Sequence, residues 1–124
     1  MARIVREIEV GGKGLNALFN TGSLNTYIAK GFAPALRTSL PHPFYVGLGG
    51  KREEIKEICS VIAEIEGLEF SSDAYVIEEV GTIEGKQVGV IVGARTMEGW
   101  EIKLDPRTGY LDLTGLKRRE FVEY

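Results

Sequence analysis

The chain has 124 residues, a formal net charge of −3 and an isoelectric point near 5.3. The length fits one domain, residues 1–124, with its own core, and no basic stretch is long enough to indicate nucleic-acid binding. Cys59 is the only cysteine and His42 the only histidine, so neither a disulfide nor Cys-His catalysis is supported. We expect no cofactor, metal or membrane segment, and a cytoplasmic location.

The first third of the chain predicts a hairpin followed by a weak helix. Apolar and charged residues alternate from Ile4 to Val10, the period-two pattern of a strand. A glycine-rich turn at 11–14 leads to a second predicted strand at 15–19. Residues 27–36 predict a short helix, weakened by internal glycine and proline.

The remaining segments predict mostly strands. The prolines near 40–44 require extended or turning backbone, and the charged run at 51–54 fits either a helix start or one arm of a hairpin. Further strands are predicted within 60–66, 68–79 and 85–92, followed by a short helix at 93–100 and a hairpin over 102–113. Short strands with regular turns predict an all-β, barrel-like domain.

Asn20 stands where an apolar strand runs into a short polar loop. The segment 17–24 reads "ALFNTGSL", and Gly22 allows a tight turn and close backbone approach. A side chain projecting from a rigid strand end suits a functional site. Asn-Thr-Gly-Ser is also ordinary turn composition, so the loop alone leaves a purely structural interpretation open.

Two further features follow the loop in a defined order. Residues 45–51, "YVGLGGK", are glycine-rich and fit a flexible hairpin tip or a plain loop. Residues 89–94, "GVIVGA", form an apolar strand that enters a predicted helix through Gly93. Each feature alone is unspecific, and the information lies in their order and spacing.

Together these features resemble the single-domain retropepsin-like aspartic proteases. That family carries two apolar residues and Asp-Thr-Gly-Ser/Ala near the N-terminus, then a flap hairpin, then two apolar residues and glycine before a short helix. The matching segments here are 18–23, a flap within 44–58, and 91–93. The resemblance covers the chain from about Ile4 to Leu113. It implies a half-barrel with one short helix and a flap hairpin, which pairs into a two-fold homodimer.

The resemblance also implies roles for individual residues. Asn20, Thr21 and Gly22 occupy the catalytic signature, where Thr21 would lock the two loops across the dimer axis. Candidates for contact with an extended peptide or protein substrate are Ser23, Leu48, Gly49, Gly50 and Ile91, with Phe44 and Val46 as further subsite candidates. For the apolar positions Phe44, Val46, Leu48 and Ile91, core packing is the more common fate.

The departure from the family pattern is Asn20 in place of aspartate. An amide cannot take a proton from water at neutral pH or share one as a carboxyl pair does. Because asparagine is nearly isosteric with aspartate, we expect a folded, dimeric and proteolytically inactive chain. Asn20 is either an engineered replacement or natural in a peptide-binding or scaffolding homologue. We favour the first, because the surrounding signature suits catalysis.

A third hypothesis is a small β-barrel unrelated to proteases, in which "NTGS" is only a turn. This hypothesis places Asn20 far from any symmetry axis. The sequence leaves open the role of the tail at 115–124, which could pair at a dimer interface or be disordered.

Overall fold

The computed structural model describes residues 3–120 and residue 123. Strands dominate this part of the chain, and the two helices it contains are short. In chain order the elements are β1 Arg3–Val10, β2 Lys13–Asn20, β3 Tyr27–Ala29, β4 Thr38–Leu48, β5 Lys51–Ile65, β6 Leu68–Ile77, β7 Gly81–Ile83, β8 Lys86–Val92, α1 Ala94–Trp100, β9 Lys103–Asp105, β10 Tyr110–Asp112 and α2 Thr114–Arg118.

Six of these strands close into a barrel. The order of neighbours is β1, β2, β8, β3, β6 and β5, and β5 returns to β1 through the pairs Glu9↔Glu64 and Val10↔Ala63. Two of the contacts, β2 with β8 and β3 with β6, are parallel, and the others around the barrel are antiparallel. The predicted all-β, barrel-like domain is confirmed.

Alternating side chains along the strands build the core. On β5 the buried residues Ile55, Cys59, Val61, Ala63 and Ile65 alternate with more exposed neighbours, as expected for a strand with one face on the core. Burial raises the pKa of the Cys59 thiol, which disfavours the reactive thiolate. Cys59 is therefore a small core residue, as its apolar sequence context indicates.

The helix predicted over 27–36 is wrong. Tyr27 to Ala29 form β3, which lies between β8 and β6 in the sheet, and the following residues turn back through bonds from Phe32 N and Ala33 N to Ala29 O. Tyr27 and Ile28 are buried. Aromatic and β-branched residues fit such a central strand better than a helix, and tertiary pairing outweighs the weak helical pattern.

The charged run at 51–54 belongs to a hairpin and not to a helix. Strands β4 and β5 pair from Leu48↔Lys51 to Phe44↔Ile55. The turn consists of Gly49 and Gly50, at φ of 56° and 80°, conformations that glycine adopts without a steric penalty. We call residues 44–55 the glycine hairpin.

A second short helix, α2, follows the β9–β10 hairpin and was not predicted. Its buried residues Gly115 and Leu116 anchor the start of the tail to the barrel, while residues 121, 122 and 124 of that tail lie outside the described residues. Asp112 supports the helix start, since its carboxylate accepts bonds from Thr114 Oγ1 at 2.6 Å and Thr114 N at 2.9 Å. These two bonds hold the pKa of Asp112 below its ordinary value.

Replacing Asp112 with alanine should destabilise the fold in a pH-dependent way. Because the folded-state pKa is depressed, the stabilising effect is present above the ordinary carboxyl pKa and is lost as pH falls through the folded value. Urea unfolding from neutral pH to about pH 3 should show the difference between Asp112→Ala and the unsubstituted chain shrinking with acidity. A Thr114→Val control keeps the carboxylate but removes the hydroxyl donor. It should weaken the pH dependence, and an unchanged dependence would contradict this account.

None of the helices in the described part of the chain is both long and apolar enough to cross a membrane.

Candidate active site

Two parallel strand ends place Asn20 beside Gly93. Strands β2 and β8 run in register with Leu18 opposite Ile91 and Phe19 opposite Val92. Phe19 and Val92 are fully buried, so both strands are fixed up to their last apolar residue. Asn20 follows Phe19 on one strand and Gly93 follows Val92 on the other. The predicted loop and the predicted strand-to-helix junction therefore meet at one end of the barrel.

The loop after Asn20 is held by the first turn of α1. Ala94 N donates to Ser23 O at 2.7 Å and Arg95 N donates to Leu24 O at 3.1 Å. The first N–H groups of a helix have no partner within the helix, and here the loop carbonyls supply one. The loop is thus anchored by backbone bonds.

Gly93 is required by this close approach. A Cβ atom on Gly93 would lie 2.2 Å from Asn25 O and 2.6 Å from Asn25 C. Both atoms are backbone, so no side-chain rotation could relieve the clash. The glycine that precedes α1 is explained by the loop packed directly on it.

The Asn20 side chain is turned back onto its own loop. Its Oδ1 accepts from Gly22 N at 2.9 Å, and Ser23 N donates to Asn20 O at 3.1 Å. This is an Asx-turn within a tight backbone turn. An aspartate carboxylate could accept the same bond from Gly22, so the loop geometry is compatible with either residue.

A chain of three hydroxyl groups, two of them buried, supports the loop from behind. Gly93 N donates to Thr26 Oγ1 at 3.1 Å, and Thr26 Oγ1 lies 2.7 Å from Thr96 Oγ1. Ser72 Oγ lies 2.6 Å from the same Thr96 oxygen. Thr26 and Thr96 are both buried. Buried and satisfied polar networks of this kind rigidify a structure, and composition gave no signal for this one.

A cavity of about 160 Å³ opens beside Asn20. Asn20 and Ser23 come from the loop, Leu48 and Gly49 from the glycine hairpin, and Ile91 from β8. These five predicted site residues, which are distant in sequence, line one space. Gly50 lies next to Gly49 in the turn, and Thr21 and Gly22 are exposed in the loop, but none of these three lines the cavity.

Two of the subsite candidates lie elsewhere. Phe44 packs edge-on against Tyr75, with ring centroids 5.3 Å apart. Val46 packs against the inner apolar cluster that contains Leu18 and Ile91. Neither residue lines the Asn20 cavity; Val46 is half-buried, whereas Phe44 remains exposed despite its contact with Tyr75.

Sequence reasoning missed most of the remaining cavity wall. Three apolar side chains from β6, β7 and the segment between them form part of the cavity floor, and four charged residues lie at its rim. The apolar residues are Ile77, Val80 and Ile83, and the charged residues are Arg3, Lys51, Glu53 and Glu79. Alternation along β5 would have found Lys51 and Glu53, since both stand at even spacing from buried Ile55 and so share its face. The three-residue strand β7 gave no comparable signal.

The barrel, with its strand-end loop seated on a glycine and a short helix, has the retropepsin-like fold. A solved structure supports this: the retroviral protease-like domain of Ddi1 from Leishmania major is similar at a TM-score of 0.60 and 15% sequence identity. The similarity covers 90% of this chain and 88% of that domain. At this identity the likeness shows the fold alone.

No protein-family model matches the chain, and no curated protein matches it.

Among the described residues, no group of three or more histidine, cysteine, aspartate or glutamate side chains is arranged to hold a metal ion.

Proposed function

We propose that this chain is a retropepsin-type aspartic endopeptidase domain whose catalytic position carries Asn20. The observation that carries the proposal is that Asn20, the glycine hairpin and Ile91 line one shared cavity. A reacting group at a rigid strand end, an apolar floor and a hairpin above it form the arrangement that cleavage of an extended peptide requires.

In the active form, two chains would pair about a two-fold axis and bring together two copies of position 20. With aspartate at that position, the two carboxyl groups would share one proton, the pairing for which aspartic proteases are the standard example. One would take a proton from the attacking water, and the other would donate a proton to the peptide carbonyl. Thr21 would lock the paired loops, Gly22 would present backbone to the substrate, and the glycine hairpin would act as the flap.

With Asn20 the same chain lacks the shared proton, so we propose that it binds peptides without cleaving them. The decisive test is the single substitution Asn20→Asp. A confirmed dimer of that variant should cleave unfolded protein and be inhibited by a pepstatin-like compound. Absence of cleavage in that dimer would contradict the proposal.

A second candidate function is a naturally non-catalytic peptide-binding or scaffolding module on the same fold. The observation that favours it is Asn20 itself, which is fully accommodated by its bond from Gly22 N. An asparagine codon in the encoding gene would support this candidate, and an aspartate codon would end it.

The proposed dimer predicts that two copies of residue 20 lie side by side. An Asn20→Cys variant in a Cys59→Ala background should be cross-linked quantitatively to a dimer by a short bifunctional maleimide. Asn16→Cys provides the matched control, because it lies earlier on the same strand, away from the loop and bonded to Gln87 O, and should remain monomeric on a denaturing gel. Equal cross-linking at both positions, or none at position 20, would contradict the predicted axis.

A further inference from the structure

A second cavity, of about 330 Å³, lies between β6 and α1. We call it the outer groove and define it by residues 71–75 of β6 and by Arg95, Thr96 and Trp100 of α1. It shares no lining residue with the Asn20 cavity. Its volume is at the lower end of the range for small-molecule sites, and its lining is more polar than such sites usually are.

Two opposite charges face the outer groove without neutralising each other. Asp73 and Arg95 both line it and both are exposed. Within the described part of the chain, neither forms an ion pair with the other or with any other side chain. Among the residues that the structure describes, the Asp73 carboxylate accepts a single side-chain hydrogen bond, a long one of 3.4 Å from Ser60 Oγ. Both groups therefore keep most of their bonding capacity for a ligand.

The inner wall of the groove is fixed. Ser72 and Thr96 are bonded through their hydroxyl groups at 2.6 Å, and the chain continues through Thr26 to Gly93 N. The Trp100 indole N–H donates to Ser71 O at 2.7 Å, which sets the orientation of the ring. A wall held in this way loses little conformational freedom when a ligand binds.

We propose that the outer groove binds a compact zwitterion of the free α-amino acid class. The ligand's ammonium group would bond to the Asp73 carboxylate and its carboxylate to the Arg95 guanidinium, both as charge-assisted hydrogen bonds. Its side chain would rest against the Trp100 ring. A ligand with only one charge would leave the other protein charge without a partner, and so would bind less tightly.

Trp100 supplies the measurement, because it is the only tryptophan in the chain. Titration with L-leucine should change its fluorescence saturably, with a Kd of about 1 mM or below. Three probes that each lack part of the zwitterion are N-acetyl-L-leucinamide, acetate and methylammonium. Each should bind at least about tenfold more weakly. A flat L-leucine titration, or equal binding of any of the three probes, would overturn the proposal.

Substitutions then locate the site. Asp73→Asn and Arg95→Gln should each weaken L-leucine binding at least about tenfold. Glu98→Gln on α1 and Lys86→Gln on β8 make the same charge changes at exposed positions outside the groove and should leave binding unchanged. Equal effects at the groove and control positions would overturn the assignment. Circular dichroism identifies any variant that fails to fold, and the probe series on the unsubstituted chain tests the zwitterion independently.

Discussion

The Asn20→Asp variant should hydrolyse unfolded protein substrates about 10²- to 10⁴-fold faster than the unsubstituted chain. The structure places no obstacle to the substitution, because Gly22 N already donates to Oδ1 of residue 20 and a carboxylate accepts that bond equally. Under the proposed function, the change therefore supplies the acid–base group that Asn20 lacks, in an unchanged loop. The measurement is the initial rate of cleavage at enzyme concentrations where the dimer has been established by sedimentation.

The pH profile of that activity should be bell-shaped. In the proposed mechanism one proton is shared by two carboxyl groups, so activity should fall at low pH when both are protonated and at high pH when both are ionised. The bond from Gly22 N stabilises the charged form of the carboxyl group at position 20. It should therefore lower the pKa that sets the acidic side of the activity profile. Activity that rises monotonically with pH would indicate a different mechanism.

Two controls separate catalysis from added charge. Asn25→Asp makes the same chemical change in the same loop but outside the Asn20 cavity, and it should be inactive. When the Asn20→Asp variant is mixed with the unsubstituted chain at fixed total concentration, activity should follow the square of the variant's fraction, because only dimers with two carboxylates can share a proton. A linear dependence would show that one chain suffices.

The sequence predicted the barrel well because its signals are local and repeated. Alternation on β1 and the glycines at the hairpin turns indicate strands whatever their partners are. For β5, which spans Lys51–Ile65, only 60–66 was predicted as a strand, because the charged run at 51–54 fitted a helix start equally well. The helix predicted over 27–36 was wrong for the opposite reason. Tyr27 and Ile28 pair with β6 and β8, which lie far along the chain, and although their residue types fit a strand, the local sequence does not specify those partners.

The candidate site was predictable only where short motifs mark the backbone. Asn20, Gly49 and Ile91 stand in segments whose glycines or strand ends are visible in the sequence. Glu79 and Ile83 reach the same cavity through the irregular segment around β7, whose course depends on pairing with β8. The hydroxyl chain from Ser72 to Thr26 is likewise a product of packing, since serine and threonine are common at exposed positions.

The Gly93→Ala variant should lose about 3 kcal/mol or more of unfolding free energy. The added Cβ would meet the backbone of Asn25 at 2.2 Å and 2.6 Å and that of Leu24 at 2.9 Å, so the loop itself would have to move. Movement would also strain the bonds from Ala94 N to Ser23 O and from Gly93 N to Thr26 Oγ1. Thermal and urea unfolding measure the loss.

Gly99→Ala is the matched control, because it makes the same change in the adjoining helix. A Cβ there meets no atom within 4 Å, so the variant should be neutral or more stable by up to about 1 kcal/mol, as alanine favours a helix over glycine. In a double variant with Asn20→Asp, Gly93→Ala should also abolish cleavage by the fraction of protein that remains folded. The double variant of Asn20→Asp with Gly99→Ala should keep its cleavage activity. If both alanines were tolerated equally, the Asn20 loop would not depend on its contact with Gly93, and the rigid placement of residue 20 would need another cause.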